Sequence, residues 1–182
     1  MDHNMTKHNT KQIADGVWAA CDTFRGAVDP ANYKNYALTM LFLKYLSDMM
    51  LDRREELLDK YKGDETRVKR ALRNERFVLP EGSDFRDLYT KRDADNIGEL
   101  INIALVNLED NNKSKLENVF SNIDFNSEAE LGETRDRNAR LKNILEDFNK
   151  IDCRPSHLAG RDTIGDAYER LIGWFAAGGG KK

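Results

Sequence analysis

Ala37–Leu51 reads ALTMLFLKYLSDMML and is the longest apolar run in this sequence, with eleven apolar residues in fifteen. A helix that crosses a bilayer needs about 20 apolar residues, so this run is too short to be one. Lys44 and Asp48 also interrupt it. The run therefore predicts a helix that is buried on most sides within a helical domain, and we expect no membrane contact.

The two ends of this helix are also marked in the sequence. Asp29 can cap the first turn, and Pro30 suits the first helical position because the N–H that it lacks would be unpaired there. Gly63 is placed to end the helix, since glycine readily adopts the left-handed conformation found after a last helical turn. We therefore expect a central helix of about eight turns.

Apolar residues recur at helical spacing in four further stretches. These sets are Ile13, Val17, Cys21 and Phe24, with Trp18 beside them; Ile97, Leu100, Ile101, Ala104, Leu105 and Leu108; Leu141, Ile144, Leu145 and Phe148; and Ile164, Tyr168, Leu171 and Phe175. A shorter helix is predicted over 65–73, and loops over 74–84, 111–115, 121–132 and 152–160. Phe77–Leu79 is the one hint of a strand. The pattern predicts a mainly α fold, a compact multi-helix domain with a long central helix and little or no sheet.

Composition divides the chain into three parts. Residues 1–12 are polar and predict a disordered or loosely held tail, and residues 13–177 predict one helical domain. Gly178–Lys182 reads GGGKK, which is typical of a flexible connector. We expect this connector to lead to a further domain that the sequence does not include.

Charge and cysteine content limit the function. The chain has 182 residues and a net charge of −3, so any contact with DNA requires a local basic patch. Cys21 and Cys153 lie far apart, without the spacing of a zinc site, and we expect buried, reduced thiols. The N-terminus lacks the apolar stretch of a signal peptide, and we expect a cytoplasmic protein.

No arrangement of residues predicts catalysis. His3, His8 and His157 have no partners at metal-site or catalytic-triad spacing. Residues 175–182 resemble a phosphate-binding loop but lack its first glycine and its final Ser or Thr. Residues 29–33 resemble the acidic-Pro-Pro-aromatic motif of amino-methyltransferases but lack the second proline, and a helix cap explains them better. We expect no catalytic, cofactor-binding or metal-binding residue in this segment.

One basic cluster is the candidate DNA-binding site. Five side chains oppose Glu75 alone and give residues 66–76 a formal charge of +4, and these are Arg67, Lys69, Arg70, Arg73 and Arg76. Arginine pairs well with phosphate oxygens, and such contacts position a protein on a duplex without reading its sequence. Lys181 and Lys182 are further candidates. The alternative interpretation is a solvated helical face.

Other charged and aromatic residues are weaker candidates. A second group of basic residues is offset by Glu133 and Asp136, and it comprises Arg135, Arg137, Arg140 and Lys142. Tyr89 and Trp174 are expected to be exposed aromatic residues beside the basic helices, and they are candidate anchors for a partner protein. Packing in the core is the alternative role for both aromatic residues.

Several blocks of the sequence carry a family resemblance. They are 17–26 (VWAACDTFRG), Asp29-Pro30 with Tyr33, 41–48 (LFLKYLSD), 102–105 (NIAL), 119–126 (VFSNIDFN), Leu131-Gly132, Arg137-Asn138 with Leu141, 162–172 (DTIGDAYERLI), Phe175-Ala176 and Gly180-Lys181. In this order they resemble the start of the modification subunit of type I restriction–modification systems. The resemblance runs from about Ile13 to Lys182, which is nearly the whole chain.

The resemblance implies a DNA adenine methyltransferase that uses S-adenosylmethionine, with a helical N-terminal domain before a doubly wound α/β catalytic domain. No position in this sequence matches the family's Gly-rich cofactor loop or its Asn-Pro-Pro-Phe motif, so no catalytic residue carries over. We expect this segment alone to be inactive and to bind no cofactor.

The resemblance also implies partners. In this family a specificity subunit is flanked by two modification subunits, and restriction subunits join for cleavage. The helical domain would hold DNA weakly, without reading sequence, and would contact other subunits. The alternative is a purely structural or assembly domain without DNA contact.

Overall fold

The computed structural model describes residues 10–25 and 28–158, and all structural statements below concern these residues. The α-helices are α1 (Thr10–Ala20), α2 (Pro30–Lys60), α3 (Glu65–Leu72), α4 (Phe85–Thr90), α5 (Ile97–Asp110), α6 (Lys113–Leu116), α7 (Glu128–Leu131) and α8 (Thr134–Asn149). Two 3₁₀ turns cover Cys21–Phe24 and Pro155–His157. This part of the chain contains no strand, and the prediction of a mainly α fold is confirmed.

Helix α2 is the predicted central helix, 31 residues long. It begins at Pro30, as expected, and the Asp29 carbonyl accepts hydrogen bonds from the N–H groups of Asn32 and Tyr33 (2.8 and 3.0 Å). At the other end, Lys62 and Gly63 adopt left-handed conformations with φ of 51° and 82°. The Gly63 N–H then donates to the Leu58 carbonyl at 2.8 Å, a hydrogen bond characteristic of a helix C-terminus.

The core forms where α1, α2, α4, α5 and α7 all pack against α8. Three of the four predicted apolar stripes line it, and the fourth, from Ile164 to Phe175, lies outside the described residues. Leu100 is the one member of those three stripes that is only partly buried. Tyr36 and Phe125 meet edge to face within this core, with ring centroids 5.0 Å apart. No described helix combines the length and apolar character needed to cross a membrane.

Short helices and one boundary correct the sequence-based assignment. Helix α6 lies across the predicted loop 111–115 and α7 lies within the predicted loop 121–132, while α4 was not predicted at all. Helices of four to six residues are too short to show an apolar period, and side-chain caps at Asp84 and Ser127 support α4 and α7. Ser127 accepts from the Glu130 N–H at 3.2 Å, for example. Helix α1 begins at Thr10 and so includes the last three residues of the predicted N-terminal tail.

Phe77–Leu79 forms no strand. The backbone groups of Val78, which a neighbouring strand would otherwise pair with, are hydrogen-bonded to a side chain instead. The Val78 N–H donates to Asn112 Oδ1 at 2.8 Å, and Asn112 Nδ2 donates to the Val78 carbonyl at 2.7 Å. Asn112 Nδ2 also donates to the Leu108 carbonyl at 2.8 Å. One buried amide thus satisfies both backbone groups of Val78 and holds this segment beside α6.

The polar residues that interrupt the apolar run of α2 form a buried network. Lys44 Nζ lies 2.6 Å from Asp48 Oδ2, and both side chains are almost completely buried. Arg86 Nη2 of α4 contacts Asp48 Oδ1 at 2.5 Å, and the Cys153 N–H donates to Asp48 Oδ2 at 2.9 Å. Asp48 therefore connects the central helix to α4 and to the segment after α8.

Asp52, one turn further along α2, holds the same segment. It accepts from Arg154 Nε at 2.5 Å and from the Ser156 N–H at 2.8 Å. Burial alone would raise the pKa of Asp52, but these donors outweigh it and keep the pKa below its usual value. Because the folded-state pKa is lowered, this contribution to stability is present at neutral pH and is lost as the pH falls through that pKa. His157 Nδ1 lies 2.7 Å from Asp152 Oδ2 in this segment.

Both cysteines are buried, free thiols, as the sequence predicts. Burial raises the pKa of Cys21 and of Cys153 to about 12. We expect neither thiol to react with a disulfide reagent such as DTNB at pH 8 while the chain is folded, because the thiolate is the reactive form. Two thiols should react at once in denaturant. Rapid reaction of either cysteine in the folded chain would contradict the buried positions.

Candidate nucleic-acid interface

Helix α3 presents the basic cluster and, among the helices of the described residues, contacts α2 alone. Asp64 caps its first turn by accepting from the Arg67 N–H at 3.2 Å. Val68 is completely buried and faces α2, so the opposite face of this two-turn helix points to solvent. The sequence after Gly63 therefore folds into a short amphipathic helix with its basic side chains outward.

Ion pairs tie both ends of α3 to α2. Arg54 Nη2 contacts both carboxylate oxygens of Glu65, at 2.7 and 2.9 Å. Arg53 Nε contacts Glu75 at 2.6 Å, and its Nη1 contacts Glu56 at 3.0 Å. Exposed pairs of this kind add little stability, about 0 to 1 kcal/mol each. Their main effect is on the charge of the cluster. Glu75 is the one carboxylate among residues 66–76, and its charge is already balanced by Arg53 of α2.

The five residues of the predicted basic cluster are all exposed, but the helix divides them between two sides. Arg67 and Arg70 are three residues apart and share one side, whereas Lys69 and Arg73 are four apart and share the other. Arg76 follows the helix, with its guanidinium carbon 5.6 Å from the centre of the Phe77 ring. The basic residues form one cluster in the sequence, but in the structure they lie on two faces of α3.

Arg67 and Arg70 lie along a groove between α2 and α3, which we call the basic groove. Its volume is about 560 Å³ and its lining residues are Arg53, Leu57, Lys60, Tyr61, Arg67, Arg70, Ala71, Asn74 and Glu75. Lys60 and Arg67 both approach the Tyr61 ring, at 5.4 and 5.7 Å from its centre. Arg70 contacts no carboxylate among the described residues. The basic groove thus offers closely spaced cations with mainly polar surroundings, which suits phosphate oxygens.

Lys115 is a basic residue beside Arg76 that the sequence analysis did not identify as a candidate. Its Nζ lies 5.7 Å from the centre of the Phe77 ring, on which Arg76 also rests. The ring in turn packs edge to face on Phe42, with centroids 6.2 Å apart. Lys115 is distant in sequence from α3, and the Asn112 amide that holds Val78 brings it close. No local pattern could have identified it.

The second group of basic residues supports the fold. Arg137 is buried and donates to the Gly132 carbonyl at 3.1 Å, and Arg140 donates to the Leu131 carbonyl at 2.6 Å. Lys142 pairs with Asp93 at 2.5 Å. These contacts join α8 to the turn after α7 and to the segment before α5. Arg135 alone of the group is exposed without an ion pair in the part of the chain described.

The remaining candidates are placed as follows. Tyr89 is partly buried against the core, and the Arg92 guanidinium carbon lies 4.2 Å from its ring centre. Trp174, Lys181 and Lys182 lie outside the described residues. Within residues 10–25 and 28–158, no group of three or more His, Cys, Asp or Glu side chains could hold a metal ion.

These features define a helical domain with an exposed basic helix. The chain belongs to the family described as the HsdM N-terminal domain, whose model matches residues 13–148. This family agrees with the resemblance that the sequence blocks carry, to the start of the modification subunit of type I restriction–modification systems.

Curated relatives agree with this assignment. The type I restriction enzyme MpnII methylase subunit of Mycoplasma pneumoniae is 26% identical, and the match covers 97% of this chain and 38% of that protein. The MjaIX methylase subunit of Methanocaldococcus jannaschii is also 26% identical, over 94% of this chain and 32% of that protein. The chain therefore spans about a third of the length of these relatives.

A solved structure has the same fold. The crystal structure of the type I restriction–modification system methyltransferase subunit from Streptococcus thermophilus superimposes with a TM-score of 0.76 at 26% identity. The match covers 93% of this chain and 39% of that one.

Proposed function

We propose that this chain is the DNA- and subunit-binding helical domain of a type I restriction–modification methyltransferase subunit. The whole subunit would methylate adenine at N6 with S-adenosylmethionine. The domain would help to clamp DNA and to assemble with the specificity subunit, a second methyltransferase subunit and the restriction subunit. Because no motif for cofactor or adenine binding is found in its sequence, we propose that this segment contributes binding and not methyl transfer.

The observation that carries the proposal is the exposed basic surface of α3. Glu65, the first residue of α3, and Glu75, three residues after its end, are already paired with arginines of α2. Arg70 remains without a carboxylate among the described residues, and Arg67 has only a long contact of 3.9 Å with Asp64. Such a surface attracts a phosphate backbone through charge, even though the chain as a whole is acidic. The contact would be independent of DNA sequence.

The double substitution Arg67→Glu/Arg70→Glu tests DNA binding. We expect the affinity for a duplex of about 20 base pairs to fall about 10- to 100-fold at low salt, because two phosphate contacts become repulsive. We also expect the slope of log K against log salt concentration to decrease in magnitude by about 2, roughly one for each lost phosphate contact. Fluorescence anisotropy over a series of salt concentrations measures both quantities.

The matched control is Lys91→Glu/Arg135→Glu, which changes the net charge equally at exposed positions away from α3. We expect it to alter DNA affinity by less than about threefold, through general charge alone. If both double variants bind DNA as the unmodified chain does, the basic groove is not the DNA contact. The alternative function, a purely structural or assembly domain, would then be favoured.

A further inference from the structure

The second side of α3 lines a different groove, which we call the apolar groove. It lies between α2, α3 and the segment from Val78 to Arg86 and has a volume of about 610 Å³. Its lining residues are Met50, Leu51, Arg54, Lys69, Leu72, Arg73, Val78, Leu79, Glu81, Asp84 and Arg86. Five of these eleven side chains are aliphatic or Met, whereas the basic groove has two aliphatic side chains, Leu57 and Ala71, among nine, so the apolar groove has the larger apolar floor.

Some of the charged residues around the apolar groove form ion pairs and others do not. Arg54 is held by both oxygens of Glu65, and Arg86 contacts Asp48 at 2.5 Å and Asp84 at 3.4 Å. Lys69 and Arg73 contact no carboxylate within the residues that the structure describes, and both are exposed. Glu81, on the opposite wall, is also exposed and has no ion pair in this part of the chain, so the groove has two unpaired cations against one unpaired carboxylate. Two cations one helical turn apart, separated by a rise of about 6 Å, thus border one edge of an apolar surface.

This combination fits a protein segment better than it fits DNA. Phosphate contacts need cations but no apolar floor, and the sugar–phosphate backbone has no large apolar group to cover Leu72 and Leu79. Protein interfaces, in contrast, combine an apolar centre with a polar or charged rim. A helix that lies in such a groove presents apolar residues to the floor at intervals of three and four. Carboxylates on its flank would then face Lys69 and Arg73.

We propose that the apolar groove is the docking site for an acidic amphipathic helix of a partner protein, with Lys69 and Arg73 pairing with its carboxylates. The inference rests on the proposed function only in that the domain works within a multisubunit assembly. Helix α3 would then serve two ligands at once, with DNA phosphates on the side of Arg67 and Arg70 and protein carboxylates on the other. Docking on one side would leave the other free.

The test uses a synthetic helical peptide of about 16 residues, with leucines at i, i+3, i+4 and i+7 and glutamates flanking them. We expect saturable binding to the full chain with a Kd below about 1 mM, measured by fluorescence anisotropy. Lys69→Glu/Arg73→Glu should weaken this binding at least tenfold. Arg67→Glu/Arg70→Glu has the same charge change and should leave the peptide affinity within about twofold. A peptide with alanine in place of each leucine should bind at least tenfold more weakly.

Other outcomes overturn the proposal. Absence of peptide binding at about 1 mM contradicts it, and equal losses in the two double variants would show general charge attraction. Loss of duplex DNA binding in Lys69→Glu/Arg73→Glu, with peptide binding unchanged, would make DNA the ligand of this side. Self-association of the chain that the same variant abolishes would make a second copy the occupant.

The neutral variant Lys69→Gln/Arg73→Gln separates a binding defect from a folding defect. It avoids placing negative charge at the C-terminal end of α3, where the helix dipole disfavours it. It should retain the melting temperature of the unmodified chain and still weaken peptide binding several-fold. Because DNA and peptide affinities are measured separately, the failure of either proposal is recognised without the other.

Discussion

Replacement of Asp48 by asparagine is expected to lower the free energy of unfolding by about 3–5 kcal/mol. The Lys44 ammonium group is buried with Asp48 as its partner at 2.6 Å, and an asparagine amide leaves that charge uncompensated. The same substitution weakens the contact with Arg86 and the hydrogen bond from the Cys153 N–H. Urea unfolding followed by circular dichroism measures the change.

Asp59→Asn is the matched control, because Asp59 lies on the same helix, is exposed and makes no ion pair in the described structure. We expect it to change the free energy of unfolding by less than about 0.5 kcal/mol. Addition of Lys44→Met to Asp48→Asn should recover a large part of the loss, since the uncompensated charge is then removed. Equal stability of Asp48→Asn and Asp59→Asn would show that the buried network contributes nothing.

Replacement of Gly98 by alanine is expected to lower the free energy of unfolding by about 3 kcal/mol. A Cβ atom at this position in α5 would lie 2.5 Å from the Phe125 carbonyl oxygen and 3.2 Å from the Asn126 Cα. Both are backbone atoms and cannot turn aside as the end of a side chain can. In a domain of this size the loss corresponds to a melting temperature lower by about 6–12 °C, which differential scanning calorimetry measures.

The segment opposite Gly98 is fixed by α5 itself, which explains why the clash cannot be relieved cheaply. Asn102 Nδ2 donates to Asp124 Oδ1 at 2.8 Å, and the Phe125 N–H donates to Asn102 Oδ1 at 2.9 Å. To accommodate a methyl group, the chain must break these hydrogen bonds or move α5 away from the core. Gly98 is therefore a position of close backbone approach.

Gly16→Ala provides the comparison within a helix. There the added Cβ would meet the Ile151 side chain at 3.2 Å, and a side chain can shift. Alanine also gains about 1 kcal/mol over glycine in helix propensity, so we expect a net change within about 1 kcal/mol. A similar large loss in both variants would contradict the role assigned to the rigid segment opposite Gly98.

The separation of α3 into two faces has a consequence for function. Arg67 and Arg70 border a polar groove, whereas Lys69 and Arg73 border an apolar one. Substitutions that combine residues from both faces, such as Arg70→Glu with Arg73→Glu, would therefore disturb two surfaces together. Variants designed within one face can distinguish DNA binding from partner binding.

Much of the helical architecture could be predicted from local patterns. Apolar residues at intervals of three and four identified the buried faces of α1, α5 and α8, and Pro30 and Gly63 identified the ends of α2. Such patterns are visible in the sequence because a helix is formed by residues that are close together along the chain. The basic character of α3 was equally visible.

The sequence by itself determined the mainly α fold, the length of the central helix and the presence of a basic segment. Tertiary structure alone decided which charged residues are paired. Asp48 contacts Arg86 and the Cys153 N–H, which lie 38 and 105 residues away in sequence, and Arg53 pairs with Glu75, which lies 22 residues away. It also decided that the Asn112 side chain hydrogen-bonds to the Val78 backbone and that Lys115 lies beside Arg76 on the Phe77 ring. The physical reason is that helix formation depends on neighbouring residues, whereas the partner of a charge or an amide depends on how distant segments pack.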